Sequence, residues 1–177
     1  MRLNVTDLVG HPGATRMVEE TVGRDAFGDT PWGVADEVLR DPIALAVHLD
    51  AVVDGILVRG TITYAVTLTC GRCLTPLDRD VVADVTELFI DPDKYADDDE
   101  VDAGYEIVDD HTAIDISTLV RDALIIDLPY RVLCREDCAG LCVVCGTDLN
   151  ETDCGHRRTA EADPRWAALA DLTLPPE

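Results

Sequence analysis

The sequence predicts an α+β fold, mainly an antiparallel β-sheet with one packing helix, followed by a cysteine-rich zinc-knuckle module at the C-terminal end. Apolar and polar residues alternate with a period of two through much of residues 43–90, which indicates strands with one buried face. One apolar stripe with helical spacing follows, and five of the seven cysteines then lie within residues 134–154. We therefore divide the chain into a core domain, residues 1–130, and a module, residues 131–177.

The strand pattern is clearest in the middle of the chain. Residues 45–49 alternate between large apolar side chains and smaller or polar ones. A longer alternation runs through residues 56–68, and a third strand is predicted at 81–85. The first forty residues are less regular, and we predict only short strands there, at 3–5 and 17–22.

A helix is predicted after these strands. Asp115 is placed to cap its N-terminus, and Pro129 ends it. The apolar positions share helical spacing and are expected to pack on the sheet: Ile116, Leu119, Val120, Ala123, Leu124 and Ile126. A last short helix is predicted to begin at Asp163, with Pro164 in its first turn.

Acidic residues dominate the composition, with 36 Asp and Glu against 14 Lys and Arg, for a net charge of −22. They are densest in residues 91–110, which we expect to form an acidic loop because so many like charges cannot be buried together. A negative charge repels nucleic-acid phosphates and attracts basic partners. We therefore expect a basic protein partner and weak binding to bare RNA, although solubility alone also explains the composition.

The C-terminal cysteines have the spacing of metal ligands. Cys142-Val-Val-Cys145-Gly146 has the form of a zinc knuckle, in which two thiolates approach one tetrahedral ion and the glycine lets the backbone fold beneath it. Four further donors compete for the remaining two positions: Cys134, Cys138, Cys154 and His156. The sequence thus predicts about one zinc ion per chain and leaves its last two ligands open.

Two other interpretations of these cysteines stay open. Cys138-x3-Cys142-x2-Cys145 has the spacing of a radical-type iron–sulfur cluster, but such enzymes usually enclose the cofactor in a barrel of roughly 200 residues or more. Alternatively the cysteines are free thiols that hold no metal. Zinc is favoured over the cluster because the motif comes late in the chain, after the predicted core.

A second cysteine pair, Cys70-Gly-Arg-Cys73, lies between two predicted strands. Redox Cys-x-x-Cys motifs activate the first thiol at a helix N-terminus, and Pro76 with the alternating pattern beyond it argues against a helix here. We therefore expect a hairpin tip whose thiols titrate in the ordinary range of about 8 to 9. A structural turn, metal ligation and redox chemistry are the alternatives, in that order of preference.

The cysteine usage also bears on the compartment. The first residues lack the apolar region of a signal peptide, and no run of residues approaches the length of a membrane span. An odd number of clustered cysteines without an export signal indicates a reducing environment and metal binding instead of disulfides. We therefore expect a cytoplasmic protein.

The order of these motifs resembles the YceD family of large ribosomal RNA subunit accumulation proteins. The similarity runs from Gly55 to Leu172. It begins with the Cys-x-Arg-Cys hairpin, an acidic gap and an Asp-Ile-Ser-Thr-Leu helix that ends in Leu128-Pro129. The run from Cys134 to Asn150 and the segment Asp163-Pro-Arg-Trp-Ala-Ala-Leu169 complete it. Family members commonly finish the module with Cys-x-Cys. This chain has Cys154-Gly-His156 instead, and histidine also ligates zinc.

The resemblance implies a cytoplasmic protein that is not an enzyme and that supports the synthesis or stability of 23S ribosomal RNA, and so assembly of the large subunit. Because some members lack the C-terminal cysteines, it also implies that Cys70, Arg72 and Cys73 form the better candidate for a shared functional centre. The alternative function is a metal (iron–sulfur) or thiol redox protein, which requires a cleft with a convergent base or nucleophile.

Overall fold

The computed structural model describes residues 1–35, 37–94, 105, 107–108, 111–156 and 165. Within these residues the chain forms two antiparallel sheets and one α-helix, which confirms the mainly antiparallel architecture with a helix. The strands are β1 (Arg2–Asn4), β2 (Thr15–Val22), β3 (Leu39–Val52), β4 (Gly55–Thr69), β5 (Pro76–Ile90), β6 (Ile107–Val108) and β7 (Ala113–Asp115), and the helix is α1 (Ser117–Ile126). Short 3-10 turns cover Arg24–Phe27, Gly33–Ala35 and Pro92–Lys94.

The larger sheet has the strand order β2-β3-β4-β5, so each strand pairs with its neighbour in the chain. Two long hairpins, β3-β4 and β4-β5, form most of it. The predicted inward residues are confirmed: Leu45, Val47 and Leu49 are at most 2% exposed. His48, between them, is exposed. The alternation in the sequence therefore identified the buried face correctly.

The smaller sheet has the order β1-β7-β6 and contains the short strand predicted near Leu3. The predicted strand at residues 17–22 is part of β2, the edge of the larger sheet. Both sheets contribute side chains to one continuous hydrophobic core, which includes Leu3, Ile114 and Phe89. The first third of the chain, which is hardest to interpret from sequence, is thus part of the core domain.

Helix α1 packs on β4 and β5 and confirms most of the predicted apolar stripe. Leu119, Val120 and Leu124 are buried. Ile126 is 78% exposed, so its assignment to the packed stripe is wrong: it is the last residue of the helix and is not covered by the core. The buried hydroxyl of Tyr64 on β4 donates a hydrogen bond of 3.0 Å to the carbonyl oxygen of Leu124 and ties the helix end to the sheet.

Asp115, the predicted cap, lies one position before the observed N-cap and supports the start of α1 from there. Ile116 occupies the N-cap position, and Asp115 is the last residue of β7. Its carboxylate nevertheless accepts hydrogen bonds from the backbone N–H of Ser117 at 3.0 Å and from the Ser117 hydroxyl at 2.6 Å. Burial raises the pKa of Asp115, but these hydrogen bonds outweigh it and hold that pKa below its usual value.

Two of the predicted segments lie outside the described residues. They are most of the acidic loop, including residues 95–104, and the C-terminal helix predicted from Asp163. Among the described residues, no helix combines the length and the apolar character needed to cross a membrane.

Candidate metal centres

The turn between β4 and β5 places two thiols side by side. The backbone N–H of Cys70 donates to the carbonyl of Thr75 at 2.9 Å, and the N–H of Leu74 donates to the carbonyl of Cys70 at 3.0 Å. Leu74 adopts a positive φ of 61° to close this turn. Cys70 and Cys73 are both buried at the hairpin tip, where the sequence predicted them.

The chain returns to this tip after α1 and brings two further cysteines with it. The N–H of Gly71 donates to the carbonyl of Val132 at 2.8 Å, which holds the returning segment against the hairpin. The sulfur of Cys134 lies 3.7 Å from that of Cys73, and the sulfur of Cys138 lies 3.9 Å from that of Cys70. We call the four residues Cys70, Cys73, Cys134 and Cys138 the hairpin centre.

The geometry of the hairpin centre fits one tetrahedral metal ion. Thiolates about 2.3 Å from a tetrahedral ion are separated by about 3.8 Å along each edge of the tetrahedron. The observed separations of 3.7 and 3.9 Å bracket that value, and all four sulfurs lie within 4.8 Å of one another. Disulfide sulfurs are only about 2.05 Å apart, and all seven cysteines of the chain are free.

A second set of four donors forms within the module. The Cys142 knuckle closes through a hydrogen bond of 2.8 Å from the N–H of Gly146 to the carbonyl of Cys142, with Gly146 at a positive φ of 74°. His156 lies with its Nδ1 atom 3.8 Å from the Cys142 sulfur. The four residues Cys142, Cys145, Cys154 and His156 have their donor atoms within 4.8 Å of one another, and we call them the module centre.

The structure divides the competing donors between the two centres. Cys154 and His156 complete the predicted knuckle, whereas Cys134 and Cys138 join the hairpin instead. Two complete donor sets therefore exist where the sequence predicted one. The spacing expected of an iron–sulfur cluster, Cys138-x3-Cys142-x2-Cys145, is also divided, because its first cysteine lies in a different centre from the other two.

Arg72, predicted as part of a functional hairpin, holds the module against the hairpin tip. Its Nη1 atom donates to the carbonyl oxygens of Glu136 and Cys138 at 3.1 and 2.8 Å. Its own carbonyl accepts the N–H of Leu141 at 3.1 Å. Gly140 has a φ of +77°, and a Cβ there would lie 3.1 Å from the Arg72 carbonyl oxygen, so a larger residue would press on this contact.

Asn150 was not singled out by its chemistry in the sequence, yet its side chain contacts a metal-ligand candidate. The Nδ2 atom donates to the sulfur of Cys138 at 3.4 Å. The Oδ1 atom accepts hydrogen bonds from the N–H of Ala139 at 2.8 Å and from Arg135 at 2.7 Å. The only sequence signal for this role is the position of Asn150 at the end of the Cys-Gly-x-x-Leu-Asn run.

Each centre contains a thiol with a strongly lowered pKa, whereas the pKa of Cys134 in the hairpin centre and that of Cys154 in the module centre are raised. The N–H of Cys73 lowers the pKa of Cys70 to about 6, despite its burial. The hydroxyl and the N–H of Thr147 lower the pKa of Cys145 to about 6. The expectation of an ordinary thiol at Cys70 is therefore wrong: a knuckle turn aims backbone N–H groups at sulfur without a helix. Within the hairpin centre, a hydrogen bond with Cys138 raises the pKa of Cys134 to about 12, so one thiol retains its proton beside a thiolate.

A third group, at the base of the acidic segment, places one imidazole ring between two carboxylates. Nδ1 of His111 lies 3.1 Å from a carboxylate oxygen of Asp91, and Nε2 lies 3.3 Å from one of Asp93. A metal ion binds one nitrogen of an imidazole ring, whereas here the two nitrogens face different carboxylates. This group therefore fits a bridging histidine better than a metal site.

Comparison with known proteins identifies relatives of the whole chain. A family model described as "Large ribosomal RNA subunit accumulation protein YceD" matches residues 58–173. An uncharacterized protein of Mycobacterium tuberculosis is 34% identical over 177 residues, covering 99% of this chain and 82% of the relative. One from Mycobacterium leprae is 34% identical over 178 residues, covering 97% and 77%.

A more distant relative carries a functional name. The maize protein called "Large ribosomal RNA subunit accumulation protein YCED homolog 1, chloroplastic" is 25% identical over 139 residues, covering 64% of this chain and 47% of the relative. No solved structure matches the chain. The resemblance noted in the sequence is confirmed by these matches.

Proposed function

The chain belongs to the YceD family of large ribosomal RNA subunit accumulation proteins, and from this premise we propose that it supports 23S ribosomal RNA accumulation and large-subunit assembly without being an enzyme. Family membership itself implies a role in ribosomal RNA accumulation. The observation that supports the non-enzymatic part is the grouping of all seven cysteines and His156 into two four-donor sets. A closed set of four donors is typical of a structural metal, because a catalytic metal keeps one position open.

Zinc is the metal that we propose for both centres. Four thiolates, or three thiolates and one imidazole, are the donor sets that structural zinc takes in proteins. A multi-iron cluster binds its thiolates to different iron atoms, which places the sulfurs farther apart than the edge of a single tetrahedron. The separations of 3.7 and 3.9 Å in the hairpin centre favour one ion. Bound zinc would supply folding energy to a segment that has almost no regular secondary structure of its own.

The role of Cys70, Arg72 and Cys73 in this proposal is structural. The two thiols are donors of the hairpin centre, and Arg72 binds backbone carbonyls of the segment that carries Cys138. Together these three residues would hold the module against the tip of the β4-β5 hairpin. Free cysteines in both centres are consistent with a reducing compartment, and we propose that the protein acts in the cytoplasm.

The partner that we propose is a basic protein of the large subunit or a precursor particle that contains one. A chain with a net charge of −22 is repelled overall by RNA phosphates and attracts cationic surfaces over a distance. Such binding depends on salt, because the Debye length falls from about 8 Å at physiological salt to about 3 Å at 1 M. Bare ribosomal RNA is expected to bind feebly.

A deletion strain profiled on sucrose gradients tests the assembly role. We expect a lower ratio of 50S to 30S particles and less mature 23S relative to 16S RNA, both restored by the wild-type gene. Complementation with Cys73→Ser should fail, while complementation with Thr152→Ser, an exposed position outside both donor sets, should succeed. A deletion strain with normal particle ratios and normal 23S RNA would refute the proposed function.

Affinity capture from cell extract tests the partner. RNase-treated and untreated arms should recover the same basic protein, and recovery should fall steeply as salt is raised. Recovery that is lost on RNase treatment would show that RNA, and not a protein, is the partner.

A further inference from the structure

We propose that the hairpin centre and the module centre bind metal as a coupled pair, and that Asn150 is the positioning residue that couples them. This inference rests on the proposed function, because it requires metal in both centres. It goes further by stating that metal in one centre raises the affinity of the other. The argument depends on which contacts cross from one donor set to the other.

Asn150 belongs to the module centre through the backbone. Asp148 pairs with Leu141 in an isolated antiparallel bridge, and the N–H of Leu149 donates to the carbonyl of Gly140 at 2.9 Å. The N–H of Cys142 donates to the carbonyl of Thr147 at 2.8 Å. The segment 147–150 is therefore held directly against the start of the Cys142 knuckle.

The side chain of Asn150 reaches the other centre, and its orientation is fixed. Two donors, the N–H of Ala139 and the guanidinium of Arg135, point at one end of the amide, which must therefore be the oxygen. The nitrogen end then donates to the carboxylate of Asp148 at 2.6 Å and to the sulfur of Cys138 at 3.4 Å. One side chain thus joins a donor of the hairpin centre to segment 147–150, which packs against the module centre.

The backbone gives the two centres little freedom to move independently. Only residues 139–141 separate Cys138 of the hairpin centre from Cys142 of the module centre. This short linker is itself held by Arg72, whose carbonyl accepts the N–H of Leu141. When metal holds Cys138 in place, the position of Cys142 is therefore also restricted, and metal at Cys142 restricts Cys138 in the same way.

These contacts predict a reciprocal effect on metal affinity. Metal binding requires the Cys138 thiolate, and an N–H donor stabilises that charge only if the amide is held in place. Filling the module centre orders segment 147–150 and so holds the amide. Loss of one such supporting contact typically weakens metal affinity about 10- to 100-fold. By linkage, each centre must change the affinity of the other by the same factor.

The test measures the affinity of each centre while the other is disabled, using Co²⁺ as a spectroscopic probe in competition with a chelator. Cys134→Ser disables the hairpin centre, and Cys145→Ser disables the module centre. We expect each variant to bind one ion at its remaining centre, about 10- to 100-fold more weakly than the intact protein binds at that centre. The factor should be the same for the two variants. Unchanged affinity of the remaining centre overturns the coupling.

Asn150→Asp tests the positioning residue in a chain that retains all eight donors, where the affinities for the first and the second Co²⁺ ion report the coupling without a cysteine variant. It preserves the oxygen that faces Ala139 but replaces the N–H donor toward Cys138 with an acceptor. The factor by which metal in one centre raises the affinity of the other should fall most of the way to one. Thr152→Asp is the matched control, because it adds the same charge at an exposed position outside both donor sets, and it should behave as the wild type.

The outcomes separate this inference from the proposed function. Full coupling in Asn150→Asp overturns the role of Asn150. Two ions that bind independently overturn the coupling and leave the proposed zinc centres standing. Wild-type protein that binds no metal in either centre overturns both.

Discussion

Removing the hydroxyl of Tyr64 should change both the stability of the protein and its dependence on alkaline pH. This hydroxyl is buried and donates to the carbonyl of Leu124, near the end of α1 from which the chain leads to Cys134. Tyr64→Phe removes the hydrogen bond and leaves a buried carbonyl without that donor. We expect a loss of about 1 to 2 kcal/mol in the free energy of unfolding at pH 7.

The pH dependence follows from the ionisation of the same group. Burial, with a smaller contribution from Asp127, raises the pKa of Tyr64 to about 12 in the folded protein, against about 10 in the unfolded chain. A raised pKa contributes stability that is complete below pH 10 and is lost as the pH rises toward 12. The wild type should therefore lose about 1.4 kcal/mol between neutral pH and pH 11, at 1.36 kcal/mol per pKa unit.

Urea unfolding of both proteins at constant zinc, from pH 7 to pH 11, measures the two effects together. The difference between wild type and Tyr64→Phe should shrink from about 1 to 2 kcal/mol to less than about 1 kcal/mol, because only the wild type carries the buried phenol. Parallel pH profiles would show that the ionisation of Tyr64 is not suppressed by folding. A variant as stable as wild type at pH 7 would show that the hydrogen bond to Leu124 contributes nothing.

Three further outcomes are expected. Purified protein should contain about two zinc ions per chain by elemental analysis. Cys73→Ser and Cys142→Ser should each lose at least one of them. A brown, iron-containing anaerobic preparation would contradict the assignment of zinc. A chelator should remove metal first from the module centre, because Cys145 and His156 are exposed; simultaneous release would show that exposure does not limit the rate. Asp115→Asn should lower the free energy of unfolding near neutral pH. Because the pKa of Asp115 is lowered by folding, its carboxylate stabilises the protein only while it is ionised, and the difference between wild type and variant should vanish as acid protonates it. A difference that persists in acid would show that the ionised carboxylate is not its cause.

The sequence predicted local features well because each of them has a local signal. Alternation of side chains along β3 and β4 predicts which residues face the core, and the structure buries them. The form Cys-x-x-Cys-Gly predicts that two thiols share one site, and the sulfurs of Cys142 and Cys145 lie within 4.8 Å of each other. Local rules failed at two residues. Ile126 has helical spacing but is exposed at the last position of the helix, and Cys70 has a lowered pKa without a helix.

By itself, then, the sequence determined the strands of the larger sheet, the helix, the donor types and the family, because side-chain period, residue chemistry and motif order can be read along the chain. It did not predict the short strands β6 and β7. The tertiary structure alone decided which donors share a centre. Cys70 and Cys138 are 68 positions apart, and their sulfurs meet only because the segment after α1 hydrogen-bonds to the tip of the β4-β5 hairpin. Spacing along the chain indicates which neighbouring cysteines can bind the same ion. It does not show that the segment after α1 returns to the β4-β5 hairpin, because that depends on how the helix packs on the sheet.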